Sequence, residues 1–274
     1  MAIKRNNPTT PARRGSSYLD FSGLTKSRGK SALKKITKKG SGRNNTGRIT
    51  VAHRGGGSKR FYRIVNFGTF KEEKAKVVGI EYDPNRSSFI AKIEYSSGKF
   101  DYIIAPHKLS VGGSISCGEK VGIKIGNRMM IKNIPTGTQV YNLELKPKTK
   151  GILCRSAGNL ATILSYDGGI ATIKLPSSEV RIISGECYAS VGMVGNTDNM
   201  NQNIGSAGRK RRMGIRPTVR GKAKNAVDHP HGGGEGGTSI GMPGPKTPWG
   251  MPALGHRTRS RSKNQKSIIK RRSK

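Results

Sequence analysis

Two histidines stand close to an aspartate and a glutamate in the stretch Asp228-His229-Pro230-His231-Gly232-Gly233-Gly234-Glu235. Side chains of these types can bind a metal ion or transfer a proton. Neighbouring side chains diverge on an extended backbone, and neither a cysteine pair nor an H-E-x-x-H motif near 228–235 supplies further ligands. A metal site and a general base therefore stay as alternatives. The pattern favours a rigid loop whose glycines permit close contact with a partner and whose two histidines donate hydrogen bonds to it.

A second candidate site interleaves cations with five glycines between residues 41 and 63. Glycine lets backbone amides approach a phosphate closely, and arginine binds phosphate through two parallel hydrogen bonds. Phe61 and Tyr62 could stack on bases. The segment lacks the terminal G-K-[ST] of a nucleotide-binding loop, and a merely solvated loop is the alternative. The candidate residues are Arg43, Arg48, Arg54, Lys59, Arg60 and Arg63.

The second half of the chain carries further cationic runs. The segment 201–225 has no acidic residue, which suits contact with RNA, although a nuclear-localisation signal has a similar composition. Its candidates are Arg209, Lys210, Arg211, Arg212, Arg216, Arg220 and Lys222. In the tail, Arg257, Arg259 and Arg261 alternate along 256–274, a spacing that suits an extended strand following a phosphate backbone. The tail also supplies the candidates Arg271 and Arg272.

Three candidate residues stand alone. Arg86 follows the turn Asp83-Pro84-Asn85, and Arg155 interrupts an apolar run at residues 152–154. Both would lie at the rims of predicted β-barrels, where such folds commonly bind ligands; a surface arginine without a role is the alternative. Trp249, the single tryptophan, could stack on a nucleobase or cap a barrel.

The charge of the whole chain explains why so many candidates are cations. The 274 residues contain 52 lysines and arginines against 15 acids, a net charge of +37. Residues 1–60 and 198–274 hold 34 of these cations and only four of the acids. Such self-repulsion needs a partner rich in phosphate and argues against a free-standing enzyme. Segments of this composition order on a polyanion and not by themselves.

The middle of the chain, 61–197, holds 12 of the 15 aromatic residues and can build a core. Alternating apolar residues predict strands at 76–86, 138–145, 151–158 and 179–184, and hairpins over 88–106 and 160–176. In the first hairpin, alternation places Phe89, Ala91, Ile93 and Tyr95 on one face. Residues 117–125 continue the strand pattern, and 126–135 is predicted to be a joint. A short helix is expected at 190–193 or at 206–213.

Many short strands at regular spacing predict a mostly β fold made of two small β-barrels. Each barrel is near the lower size limit for an independent core, so we expect the two to pack on each other. The predicted segments are a basic N-terminal extension, a first barrel, a second barrel and a basic, Gly/Pro-rich C-terminal extension. They span 1–60, 61–126, 127–197 and 198–274.

Other classes of protein fit poorly. No run of 18 apolar residues predicts a membrane span, and residues 1–11 lack the apolar region of a secretory signal. The three cysteines, Cys117, Cys154 and Cys187, are an odd number without a C-x-x-C motif, which fits a reducing compartment.

Several stretches resemble the bacterial-type large-subunit ribosomal protein two. They are GRNNTGRITVAHRGGGSKRFYR, EYDPNRS, YDGGIATIKLPSSEVRII, GRKRRMGIRPTVRG and NAVDHPHGGGEGG. The resemblance implies an OB-like barrel followed by an SH3-like barrel, with long irregular extensions. It also implies a structural protein, not an enzyme, that binds large-subunit ribosomal RNA (rRNA).

The same resemblance implies roles and partners. It matches Arg86 and Arg155 to RNA-contacting positions and His229 to the histidine that the family links to peptidyl transfer. Direct participation of His229 in that reaction is the alternative to a supporting role. The implied partners are other ribosomal proteins, the small subunit through an intersubunit bridge, and a nearby transfer RNA. No cofactor or metal of its own is expected, although Mg²⁺ of the surrounding rRNA could bridge acids to phosphate. A bacterial ribosome in the cytoplasm fits best, with an organelle-encoded copy as the alternative.

Overall fold

The computed structural model describes residues 3–26, 32–68, 74–236, 238–259 and 266–272. These residues are mostly β, and the helices among them are short. The fold class expected from the sequence is therefore confirmed.

The chain divides into two compact units, each built from segments distant in sequence. The core unit comprises residues 1–38, 59–207 and 266–274, and the basic unit comprises 39–58 and 208–265. The four sequence segments proposed above, with boundaries at 60, 126 and 197, stay a prediction.

The first 63 residues contribute two small antiparallel ribbons to the core unit. Strand β1 (Ile3–Arg5) pairs with β2 (Ser17–Leu19), and helix α1 (Pro11–Arg14) lies between them with Thr10 as its N-cap. Strand β3 (Lys34–Ile36) pairs with β4 (Phe61–Arg63). The sequence pattern did not predict these ribbons, because three-residue strands are too short to show alternation.

The first sheet of the core unit has the strand order β7-β6-β5-β8, all antiparallel. It contains β5 (Lys74–Glu81), β6 (Ile90–Tyr95), β7 (Phe100–Ile104) and β8 (Ser114–Ser116). Phe89, Ala91, Ile93 and Tyr95 are buried in one apolar cluster. The predicted hairpin and its inward face are both confirmed.

The second sheet has seven strands in the order β15-β13-β12-β11-β10-β14-β9. They are β9 (Arg128–Met130), β10 (Gln139–Tyr141), β11 (Ala161–Asp167), β12 (Ile170–Lys174), β13 (Val180–Ser184), β14 (Tyr188–Val191) and β15 (Ile268–Lys270). Gly168 and Gly169, both at positive φ, form the predicted turn between β11 and β12. Among the described residues, the hydrogen-bonded order of each sheet is open-ended.

The two sheets share a core, as their small size led us to expect. Ile90, Tyr102 and Ile104 of the first sheet belong to the same buried cluster as Ile163 and Ile173 of the second. The β6–β7 hairpin is therefore buried on both of its faces, since Ile93 and Ile103 lie in the other cluster.

A buried ion pair ties β9 into the second sheet. The Arg128 Nη2 donates to Glu144 Oε1 at 2.7 Å, and both side chains are 1% exposed. The other Glu144 oxygen accepts from the Tyr188 amide at 3.1 Å, and the Arg128 Nη1 donates to the Asn142 carbonyl at 2.8 Å. These hydrogen bonds offset much of the cost of burying the two charges, and Arg128 Nε is left buried without a hydrogen-bond partner among the described residues.

Some local predictions were wrong. Residues 117–125 do not continue the strand, and Ile123 and Ile125 are exposed. The predicted joint at 126–135 contains β9 and the 3₁₀ helix Ile131–Asn133. Arg128 made β9 look polar, and only its distant partner Glu144 allows it to be buried.

Two regions were assigned to the wrong type of structure. Residues 151–158 form no regular strand and share only an isolated bridge, Leu143 with Leu153. Residues 188–191 form β14, so the helix belongs to the other candidate region, 206–213, where α2 (Ala207–Arg212) lies. The remaining 3₁₀ helices are Thr197–Asn201 and Gly221–Ala223.

Candidate nucleic-acid interface

The turn that precedes Arg86 fixes this arginine in place. The buried carboxylate of Asp83 accepts from the Asn85 amide at 2.9 Å and pairs with the Arg86 Nε at 2.6 Å. The Asn85 side chain donates to the Phe61 carbonyl at 2.8 Å, and the Arg60 guanidinium donates to the Pro84 carbonyl at 2.9 Å. This predicted turn therefore also holds Arg60, a candidate from a different sequence motif.

Arg86 and Arg155 contact the same aromatic ring. Their guanidinium carbons lie 5.3 Å and 4.4 Å from the centroid of Phe67, respectively. The sequence predicted both arginines separately, and nothing in it predicted that they would converge. Sequence reasoning also missed Phe67, whose position just after the basic segment 41–63 was the only signal.

The loop that carries Arg155 is held by backbone contacts. Cys154 has a φ of +54°, in the left-handed region, which turns the chain just before Arg155. The Arg155 Nη1 donates to the Gly151 carbonyl at 3.3 Å, and the Gly151 amide donates to the Phe67 carbonyl at 2.8 Å. A side chain at position 151 would collide with the backbone of Asn142, so glycine is required there.

Hydrogen bonds to Ser87 connect the Arg86 turn to two other loops. The Ala157 amide donates to the Ser87 hydroxyl at 3.1 Å, and the Asn196 side chain donates to the Ser87 carbonyl at 2.6 Å. Arg86, Phe67 and Arg155 thus form a supported cluster, here called the Phe67 cluster. Two planar guanidinium groups beside one ring can bind phosphate oxygens.

The other predicted cations differ in exposure. Arg63 donates to the Phe61 carbonyl at 3.1 Å and is half-buried, as are Arg209 and Lys222. The remaining described candidates are exposed, and Arg261 lies outside the described residues. The exposed ones are Arg43, Arg48, Arg54, Lys59, Lys210, Arg211, Arg212, Arg216, Arg220, Arg257, Arg259, Arg271 and Arg272.

Two of the predicted basic segments pair with each other inside the basic unit. The Ser58 amide donates to the Arg212 carbonyl at 2.9 Å, and the Gly55 amide donates to the Gly214 carbonyl at 3.0 Å. A Cβ atom at Gly57 would lie 2.8 Å from the backbone of Gly214. Sequence reasoning missed this pairing because 41–63 and 201–225 are far apart and have no apolar pattern.

His229 is buried at 8% exposure, and no other described residue of the basic unit is buried. Its Nδ1 accepts a hydrogen bond from the His231 amide at 3.0 Å, and its ring packs against Gly221. Burial, with the nearby charges of His231 and Lys224, lowers the pKa of His229 below its ordinary value of 6.5. The neutral ring therefore keeps its proton on Nε2.

His231 is also engaged through its ring. Its Nε2 accepts from the Lys246 amide at 2.6 Å, and its Nδ1 lies 3.4 Å from the Ile240 carbonyl. Across the described residues, no group of three or more His, Cys, Asp or Glu side chains is placed to hold a metal ion. The rings of both histidines thus accept hydrogen bonds from backbone amides, one from His231 and one from Lys246.

Two family models match the chain. Residues 30–117 match the model described as Ribosomal Proteins L2, RNA binding N-terminal domain, and residues 124–250 match Ribosomal Proteins L2, C-terminal domain. The chain belongs to the ribosomal protein L2 family. It is accordingly a structural, RNA-binding protein of the large ribosomal subunit, and it works in a ribosome of the cytoplasm or of an organelle.

The two L2 matches cover most of the candidate interface. Arg60, Phe67 and Arg86 lie in the RNA-binding N-terminal match, whereas Arg155 and the histidine pair lie in the C-terminal match. The tail arginines from position 257 onward lie outside both matches. Among the residues that the structure describes, no helix has the length and apolarity needed to cross a bilayer.

Proposed function

We propose that this L2 protein binds folded large-subunit rRNA through the Phe67 cluster and neutralises further phosphates with the basic unit. In this role it supports subunit association, transfer-RNA placement and the geometry of the peptidyl transferase centre. The observation that carries the proposal is the convergence of Arg86 and Arg155 on Phe67. Three distant segments of the sequence build this cluster, and a family match to an RNA-binding domain includes two of its members.

The electrostatics of the basic unit support the second half of the proposal. This unit carries 17 lysines and arginines against two acids. Each phosphate contact releases counterions, so log K should fall by roughly 0.7–0.9 per contact against log salt concentration. Mg²⁺ bound to the rRNA would supplement these contacts at the few acidic side chains.

Replacing Arg155 tests the Phe67 cluster. Arg155→Gln removes one guanidinium and leaves Arg86 paired with Asp83. We expect binding to purified large-subunit rRNA to weaken roughly tenfold, within the usual range for a charge-assisted hydrogen-bonded contact. Arg155→Lys should recover only part of the affinity, since an ammonium group cannot make the planar bidentate contact.

Lys92→Gln is the matched control, because Lys92 also lies over an aromatic ring, that of Phe100 at 4.1 Å. Equal losses for Arg155→Gln and Lys92→Gln would contradict a specific role for the Phe67 cluster. Duplex DNA at the same ionic strength is the second control. Equal affinity for DNA and rRNA would favour a general DNA-binding function instead.

Direct proton transfer by His229 is the second candidate function. A general base needs a free nitrogen lone pair within hydrogen-bond reach of its substrate. The Nδ1 lone pair of His229 accepts from the His231 amide, and Nε2 carries the proton in the neutral ring. This arrangement supports a structural role, in which His229 donates to RNA from Nε2 or organises the loop.

His229→Asn separates these two functions, because the Asn oxygen can accept the His231 amide as Nδ1 does. Large subunits reconstituted with this variant should form peptide bonds within a few-fold of the wild-type rate. A general acid or base contributes roughly 10²–10⁴-fold. A loss of that size in subunits that assemble normally would assign the chemistry to His229.

A further inference from the structure

A tight hairpin at residues 245–253 carries Trp249 at its tip. The Ala253 amide donates to the Pro245 carbonyl at 2.8 Å, and the Thr247 amide donates to the Met251 carbonyl at 2.8 Å. The Gly250 amide closes the turn by donating to the Thr247 carbonyl at 2.9 Å. Gly250 has a φ of +80°, which glycine adopts without strain. The hairpin is therefore a defined structure.

Trp249 is 85% exposed at this tip. A tryptophan is usually largely buried, whereas a ring in solvent is accessible for stacking on a nucleobase. Its own turn holds the backbone, so the ring is presented outward.

His231 anchors the base of this hairpin. The Lys246 amide, one residue before the turn begins, donates to His231 Nε2 at 2.6 Å. The backbone amide of His231 donates in turn to His229 Nδ1 at 3.0 Å, and the ring centroids lie 5.1 Å apart. Both histidine rings are thus linked to the position of the Trp249 hairpin.

The composition of the chain around Trp249 indicates the kind of partner it suits. No acidic residue follows Glu235 in the sequence, whereas Lys246, Arg257 and Arg259 lie in this part of the chain. An exposed ring in a segment whose only charged side chains are cations suits a ligand with both an aromatic face and negative charge. A nucleotide has both, and bases stack on aromatic side chains without sequence preference.

We infer that Trp249 stacks on an unpaired nucleobase of the rRNA and that His231 is the positioning residue that holds its hairpin. This inference rests on the proposed rRNA-binding function and assigns the histidine pair a role in presenting an aromatic ring. His231 acts only through the Lys246 amide, and Trp249 makes the contact.

Because Trp249 is the only tryptophan of the chain, its fluorescence reports on the site in the full-length protein. Oligoadenylate, which offers unpaired bases, should quench the emission, whereas double-stranded RNA at equal ionic strength should not. Trp249→Ala should weaken binding to large-subunit rRNA roughly tenfold, and Trp249→Phe should retain most of the affinity.

Two replacements of His231 test the positioning role. His231→Leu removes the acceptor of the Lys246 amide and should abolish quenching by oligoadenylate, although Trp249 is intact. His231→Gln can place an amide oxygen near the former Nε2 and should restore quenching. Thermal unfolding of each variant shows whether the core unit is unaffected.

The outcomes separate this inference from the proposed function. If rRNA binds with the expected salt dependence but Trp249 is not quenched and Trp249→Ala binds normally, the stacking inference is wrong. If His231→Leu is quenched like wild type, the positioning role is wrong. If rRNA does not bind at all, the proposed function itself is contradicted.

Discussion

The two units of this protein differ in what holds them together. Every buried apolar side chain among the described residues belongs to the core unit. The basic unit holds 18 of the chain's 38 glycines and, where the structure describes it, buries only His229. Apolar burial is the main stabilising contribution to folding. The core unit therefore has its own source of stability, whereas the basic unit depends on backbone hydrogen bonds and on a polyanion.

The two units should differ most in the free energy of unfolding that is lost when one acidic side chain is neutralised. Glu144→Gln leaves the Arg128 charge buried without its partner, which costs about 3–5 kcal/mol. Glu235→Gln in the basic unit changes an exposed side chain and should alter stability by less than about 0.5 kcal/mol. Urea unfolding of the RNA-free protein measures both, and similar values would contradict the contrast between the units.

The second difference concerns phosphate contacts. Replacing Arg209, Lys210, Arg211 and Arg212 with glutamine should lower the slope of log K against log salt by about 3, at 0.7–0.9 per lost contact. Affinity for rRNA should fall roughly a hundredfold at fixed salt, with unfolding of the core unit unchanged.

The matched control neutralises four lysines of the first sheet and of the turn between β6 and β7, namely Lys74, Lys76, Lys92 and Lys99. We expect a clearly smaller change in slope, because the basic unit is proposed to make most of the phosphate contacts. If the two variants, each with four cations replaced, had equal slopes, the contrast in phosphate binding between the basic unit and the first sheet would be contradicted.

A methyl group at Gly57 tests the pairing within the basic unit. The new Cβ of Gly57→Ala would lie 2.8 Å from the Gly214 backbone. Overpacking of this kind typically costs 1–3 kcal/mol, so rRNA affinity should fall about tenfold. Gly208→Ala, where no atom lies within 4 Å, is the control and should bind normally. Normal binding by Gly57→Ala would show that the pairing does not matter for the RNA-bound form.

The smallest expected effect is that of pH on the stability of the loop that contains His229. The pKa of His229 is lowered below its ordinary 6.5, chiefly by burial, so the ordered loop binds a proton less well than the opened loop. The contribution of neutral His229 to the stability of the loop is therefore fully present above pH 6.5 and declines as pH falls below that value. The titration of His229 by NMR should have a midpoint below 6.5, and Lys224→Gln should raise it. A midpoint at or above 6.5 would contradict the buried, neutral ring.

Sequence reasoning succeeded where the signal is local. Alternation in 88–106 predicted the hairpin and its buried face, and Asp167-Gly168-Gly169 predicted the turn between β11 and β12. It failed where a partner is distant. Arg128 is buried because of Glu144, and strand β14 pairs with β9 and β10 across many residues.

The candidate interface shows the same limit. Each arginine of the Phe67 cluster could be predicted from its neighbours, but the shared ring could not, because the two arginines lie in different loops. For the histidine pair, spacing alone left three interpretations open. The hydrogen bond from Lys246 to His231 connects it to Trp249, and no local pattern contains that contact.

Hydrogen exchange of the backbone amides tests the central claim most directly, namely that the basic unit depends on RNA for most of its stability. In the free protein, the amides of 39–58 and 208–259 should exchange faster than those of β6, β7 and β11–β13. On binding to large-subunit rRNA, the former amides should become protected. Protection of the basic unit equal to that of these strands in the absence of any nucleic acid would contradict the account.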